Sequence, residues 1–140
     1  MLTANEIQDG LKKFWCTTQY HRHGLSLPYT DGVKYLIDNA EAYWLVDAIS
    51  IQHKFNHDVF DDRRQGFTFW KLVKNEDDSC DLTCGDDEIG GKFVTFDTPG
   101  RPEPYSVQPV WEEIIPWTNF PLDEVILWYE NGVIILPSEH

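Results

Sequence analysis

The stretch Glu124-Val-Ile-Leu-Trp-Tyr-Glu130, Asn131-Gly132, Val133-Ile-Ile-Leu136 decides the fold. Two apolar, strand-prone runs flank an Asn-Gly pair. The type I′ turn of a two-residue hairpin needs positive φ at both central positions, which Asn and Gly tolerate best. The spacing therefore predicts an antiparallel hairpin with Trp128 opposite Ile135 and Leu127 opposite Leu136. Alternation puts Ile126, Trp128 and Ile135 on one face and Leu127, Tyr129 and Leu136 on the other. Both faces are apolar. Helices can cover one; the other needs the rest of a curled sheet or a second copy of the chain, so a homodimer through the sheet face is expected.

Upstream the same period of two recurs. Phe67-Thr-Phe-Trp-Lys-Leu-Val-Lys74 reads as a strand, Asn75-Glu-Asp-Asp-Ser79 as a polar turn, and Cys80 to Cys84 as a second strand. Lys92 to Phe96 and Val110 to Pro116 offer two more short strands. Residues 85–108 begin as an acidic loop around Gly90-Gly91 and continue into Thr98-Pro-Gly-Arg-Pro-Glu-Pro104. Prolines remove ladder donors, so this segment reads as an acidic, proline-rich loop insertion. An antiparallel sheet of four to six strands follows. Cys80 and Cys84 would share one strand face about 13 Å apart, at ~3.3 Å per residue, too far to form a disulfide or ligate one metal. With Cys16 they make an odd set, read as reduced thiols.

The N-terminal part keeps a helical period instead. Thr3 and Glu6 have capping-box spacing, Leu2 and Ile7 are placed as a hydrophobic staple, and Leu11, Phe14 and Trp15 continue the stripe, so a helix over about 3–16 is predicted. Thr17 to Pro28 is polar and irregular. Thr30 or Asp31 then caps a run in which Val33, Leu36, Ile37, Ala40, Trp44, Ala48, Ile51 and Phe55 step by three or four. That predicts a long helix over 31–55, with Asn39 marking where a break would fall. Leu45 and Ile49 lie on its opposite side, so the helix is apolar on two faces and largely buried. Asp47 projects inside the stripe, between Ala40, Trp44 and Ile51. A carboxylate there is expected to be buried and hydrogen-bonded, with Tyr43 and His23 as conceivable companions. Helices followed by an antiparallel sheet make a single α+β domain over 1–140.

Charge is distributed unevenly. Up to Lys74 nine acidic residues balance nine basic ones; from Asn75 onward fifteen acidic residues face only Lys92 and Arg101, so the second half carries the whole formal charge of −13. Such a field repels DNA and anionic membranes and favours basic protein surfaces. Direct nucleic-acid binding is disfavoured, since Arg63-Arg64 stands beside Asp61-Asp62 and no basic stripe exists. No apolar run approaches the roughly 18 residues that span a bilayer. Met1-Leu-Thr-Ala-Asn-Glu6 lacks the basic start and apolar stretch of an export signal, so a cytoplasmic location is expected. Aromatic residues reach 14% of the chain, enough for both a core and a binding face.

Several segments carry a resemblance: Tyr29-Thr-Asp-Gly-Val-Lys-Tyr-Leu36, Ala42-Tyr-Trp-Leu-Val-Asp-Ala48, Phe69-Trp-Lys-Leu-Val-Lys-Asn75, Pro116-Trp-Thr-Asn-Phe-Pro-Leu-Asp-Glu124, and Tyr129-Glu-Asn-Gly-Val-Ile-Ile-Leu-Pro-Ser-Glu139. In these the chain resembles a domain-of-unknown-function family of small bacterial proteins, with similar ones on plasmids and in phages. The resemblance spans the chain up to Asn75 and again from Pro116 onward. It implies no activity, cofactor or catalytic residue. Association with mobile elements implies an interaction or inhibitor role.

Enzyme signatures are weak. His53 and His57 are four apart, the spacing by which two imidazoles reach one metal from a helix face, but the intervening Lys54-Phe-Asn56 holds no glutamate base. No nucleophile elbow, Walker loop or dinucleotide fingerprint is present, and no cofactor is expected. The leading expectation is a non-enzymatic interaction module, an acidic inhibitor or adaptor of a basic protein. Asp77, Asp78, Asp86, Asp87, Glu88, Glu112 and Glu113 are its candidate contact residues. The most specific form is a phosphate mimic that antagonises a nucleic-acid-binding protein or nuclease. The alternative is a small metal-dependent hydrolase using His53, His57 and carboxylates.

Overall fold

In a computed structural model of the protein, residues 2–60, 66–85, 88–89, 92–93 and 111–139 are described, the pairs 88–89 and 92–93 by their backbone alone. Helices α1 (Ala4–Leu11), α2 (Asp31–Ala40), α3 (Tyr43–Phe55) and α4 (His57–Phe60) precede strands β1 (Phe67–Lys74), β2 (Cys80–Gly85), β3 (Glu88–Ile89), β4 (Lys92–Phe93), β5 (Trp111–Ile115), β6 (Glu124–Glu130) and β7 (Val133–Ile135). A 3-10 turn, Pro137–Glu139, follows. Five strands form one antiparallel sheet in the order β5-β2-β1-β6-β7, while β3 and β4 pair only with each other. The architecture is α+β, with helices mostly N-terminal and the sheet C-terminal. Asn131 and Gly132 both take positive φ (46° and 94°), and Trp128 stands opposite Ile135. β7 stops there, as Pro137 turns the chain away.

Alternation along the central strands gives the sheet a core face. Trp70 and Leu72 of β1, Cys80, Leu82 and Cys84 of β2, and Val125, Leu127 and Tyr129 of β6 are buried against the helices. Cys80 and Cys84 both lie on that face as thiols outside any disulfide, and burial pushes the Cys80 thiol up. From the helices come Ile7, Val33, Leu36, Ile37, Leu45, Val46 and Ile49.

Two helices differ from the sequence pattern. The Thr3–Glu6 capping box forms, but α1 ends at Leu11, not near Cys16. Its last turn tightens through Lys13 N–H to Gly10 and Phe14 N–H to Leu11. The Phe14 ring then packs on Tyr35 while Trp15 is left exposed. The long helix over 31–55 is two helices. Glu41 takes a left-handed conformation (φ 53°), and α3 restarts at Tyr43. This non-helical step resets the phase of the wheel. Past it, the buried side is Leu45, Val46, Ile49, Ser50 and His53. The side continued from α2's stripe, ending in Ile51 and Phe55, turns to solvent.

The segment before α2 is tied to the sheet edge. Ile134 N–H donates to Pro28 O and Thr30 N–H donates to Ile134 O, so Tyr29 bridges to Ile134 in parallel; His21 in turn pairs with Tyr29. Thr30 is the α2 N-cap, yet its hydroxyl does not cap the helix: it donates to Glu139 Oε1 at 2.5 Å. That carboxylate also accepts from Gly32 N–H (3.1 Å) and Leu136 N–H (3.1 Å). A negative charge thus lies on the positive end of α2 from the far end of the chain. Only glycine leaves room: a Cβ at position 32 would come within 2.4 Å of Leu136 and 2.7 Å of Glu139. Removing the carboxylate strands buried donors, so Glu139→Ala should cost about 1–3 kcal/mol in urea unfolding, with Glu139→Gln in between. Loss below about 0.5 kcal/mol would mean water replaces the carboxylate.

Candidate functional site

The side of the sheet away from the helices is read off by register. One row runs Glu124, Val73, Asp81, Ile114; the next runs Ile126, Lys71, Thr83, Glu112; a third pairs Trp128 with Phe69 and Gly85. At the β5 end of this face Val73, Asp81, Thr83, Glu112, Glu113 and Ile114 line an open cavity of about 740 Å³. Its floor is β-branched and apolar, and its rim is carboxylate. Among the described residues no cation pairs with Asp81, Glu112 or Glu113, whereas Lys71 lies 3.9 Å from Glu124 and Lys74 lies 3.8 Å from Asp78. Ile114, which lines it, is strongly exposed, as is Trp117 beyond β5.

Of the sequence's acidic candidates, Glu112 falls on the outward side of this cavity; Glu113 also lines it but stands in register with buried Leu82, so alternation turns its carboxylate to the other face. Asp77 and Asp78 sit in the β1–β2 turn. Asp77 accepts from the Ser79 hydroxyl (2.5 Å) and N–H (3.1 Å), which hold its carboxyl low. Asp78 takes a left-handed conformation (φ 65°) and pairs with Lys74. Asp86, Asp87 and the side chain of Glu88 lie outside the described residues, as does most of 85–108. Asp81 joins Glu112 on the outward side, its place between buried Cys80 and Leu82 pointing it outward by alternation alone.

The C-terminal hairpin's outer face is not bare. Its Ile135 is buried (5% exposed), as is Phe69 of the neighbouring β1 (4%), while Ile126 and Trp128 are half-buried.

Asp47 is not buried: its side chain is 48% exposed, because the phase reset after Glu41 swings it off the core. It does have a partner. His23 Nε2 lies 2.8 Å from Asp47 Oδ1, and His23 Nδ1 lies 3.0 Å from the Tyr29 hydroxyl. In the tautomer whose Nε2–H donates to the carboxylate, Nδ1 accepts from the Tyr29 hydroxyl. Burial raises the Tyr29 hydroxyl's pKa. The Tyr43 ring stands edge-on to His23, and its hydroxyl donates to Asp38, which also takes Lys34 Nζ at 2.8 Å. Burial pushes the Asp38 carboxyl up, but the Lys34 and Tyr43 bonds outweigh it and hold it low.

His53 and His57 do not converge. His53 is buried, stacked on Tyr129 at 3.6 Å with Nε2 2.8 Å from the Thr68 hydroxyl, while His57 begins a separate helix and is exposed. Among the described residues no group of three or more His, Cys, Asp or Glu is placed to hold a metal ion.

Fold and site define a small α+β protein with a carboxylate-rimmed groove on the open side of its sheet. The chain belongs to the Family of unknown function (DUF6876), whose model matches residues 5–140. No curated protein and no solved structure matches it. No helix among the described residues is long and apolar enough to cross a membrane.

The loop that presents His23 is anchored by Asp31. Its carboxylate accepts from Thr18 N–H (2.9 Å) and the Thr18 hydroxyl (2.9 Å), and His21 Nε2 stands 2.7 Å away. The Thr18 amide first, then the His21 ring, hold the Asp31 carboxyl far below the ordinary carboxylate range. A depressed carboxyl contributes stability above its unfolded value of ~3.9 and loses it as pH falls toward its folded value. Asp31→Asn should therefore be less stable than wild type at pH 7, and the gap should close steadily below about pH 4. A gap independent of pH would place the effect in packing.

Proposed function

We propose that the chain is a non-enzymatic binding protein that takes a basic segment of a protein partner into the carboxylate-rimmed groove of its sheet. The observation that carries this reading is the pair of carboxylates Asp81 and Glu112, on the outward side of neighbouring strands at one cavity, with no cation paired to them among the described residues. On the sheet Asp81 and Glu112 are diagonal neighbours across β2 and β5, about 7 Å apart at their Cα atoms. An extended arginine- or lysine-bearing segment would neutralise them and cover Ile114 and Val73. The formal −13, concentrated in the same half of the chain, speeds encounter with such a surface. The narrower form of the reading is an antagonist whose carboxylates stand where a nucleic-acid-binding protein or nuclease expects phosphates. A cytoplasmic setting suits either form.

The test begins with the partner captured at low salt from host lysate, identified and purified. Association should slow steeply as ionic strength rises, since screening shortens to ~10 Å near 0.1 M. Glu112→Lys should weaken binding about tenfold or more, mainly through the on-rate, while circular dichroism stays unchanged. Asp9→Lys on α1 is the control for net charge and should change little. Affinity insensitive to both salt and groove reversal rules the groove out as the interface. For the antagonist form, the wild-type chain should compete with DNA for the purified partner.

A further inference from the structure

The second exposed surface lies on the other side of the molecule, on α3. Ile51 is 52% exposed, Phe55 62% and Leu25, at the tip of the preceding loop, 81%. They line an open cavity of about 360 Å³ together with His23, Asp47 and Lys54. Lys54 Nζ donates to Leu25 O, so the loop tip is tied to the helix and the apolar patch is held in place. Exposed aliphatic and aromatic residues grouped on one helix face mark an interaction site.

We infer that two copies of the chain pair through α3, antiparallel, with Ile51 at the two-fold axis. Three observations on this face select a second copy over other occupants. The first is self-complementary charge: Asp47 and Lys54 lie on either side of Ile51, so an antiparallel partner sets each Asp47 against the other copy's Lys54. The second is shape. Tyr43, Asp47, Ile51 and Phe55 step by four along α3, a straight ridge, and the cavity between that ridge and Leu25 receives the other copy's Phe55. The third is the field. The outward side of the sheet carries Asp81, Glu112 and Glu124 against Lys71 alone among the described residues, so copies repel there and can approach through the helices. α3 packs on the core face of the sheet through His53, Thr68 and Tyr129, so this pairing leaves both grooves facing outward at opposite ends. The dimer then presents two identical sites to a partner.

One three-turn helix face is at the small end of specific interfaces, so association is concentration-dependent. Sedimentation or light scattering up to about 0.5 mM should show a rise from monomer to dimer mass. Asp47→Lys alone and Lys54→Asp alone each set like charges against one another and should weaken the dimer about tenfold or more. Mixing the two variants restores both opposite-charge pairs, so the mixture should form a one-to-one heterodimer. Neither a folding defect nor a change in net charge reproduces that rescue. Ile51→Cys in a Cys16→Ser background, Cys80 and Cys84 being buried, should cross-link to itself under mild oxidation. Wild type remaining monomeric throughout overturns the pairing and gives the face to a different partner. Dimers that survive both single reversals, or a mixture without heterodimer, overturn the antiparallel α3 geometry.

Discussion

The Glu139 carboxylate on the first turn of α2 is the contact on which the arrangement of helices over sheet depends. It gathers Thr30 Oγ1, Gly32 N–H and Leu136 N–H, donors from two segments separated by more than a hundred residues. Next to it the Pro28–Thr30 strip lies along β7 through two backbone bonds with Ile134. The strip therefore does two jobs: it covers the outer edge of β7 with paired amides, and it fixes where α2 starts and which way it points. An open edge and an uncapped helix would each leave buried polar groups without partners. One acid and one glycine remove both costs.

That anchoring explains the local order of the irregular 17–30 segment. With Tyr29 held on the sheet, His21 pairs back onto it, and Thr17 and Thr18 close on the Asp31 carboxylate and N–H. His23 is then carried over Tyr43 and onto Asp47. A sequence with almost no secondary structure here is held by side-chain bonds to helices that are themselves set by the sheet edge. Such networks lose more than the sum of their parts when one member is removed.

The two exposed surfaces differ in chemistry because the chain divides its charge. The second half holds the excess of carboxylates, and the outward side of the sheet offers Asp81 and Glu112 at the groove. The helical half is balanced and places its exposed apolar residues on α3. The carboxylate-rimmed groove and the apolar patch on α3 thus lie on opposite sides of the sheet.

Strand identity was legible in the sequence because β-alternation is a local property. Phe67–Lys74 and Glu124–Glu130 fall where alternation and the Asn-Gly turn put them. The capping box at Thr3–Glu6 is equally local and equally readable. The same alternation along β2 places Asp81 on the outward side, near Glu112. What the sequence could not decide was phase and partnership. A left-handed Glu41 looks unremarkable in the sequence, yet it rotates every later residue of α3, turning Ile51, Phe55 and Asp47 outward and Leu45 and Ile49 inward. His53 likewise reads as half of a metal pair until the sheet supplies Thr68 and Tyr129. Short-range periodicity determined which segments form strands and helices. Contacts between residues far apart in the chain, which no local pattern encodes, decided which faces they bury and which acids remain unpaired.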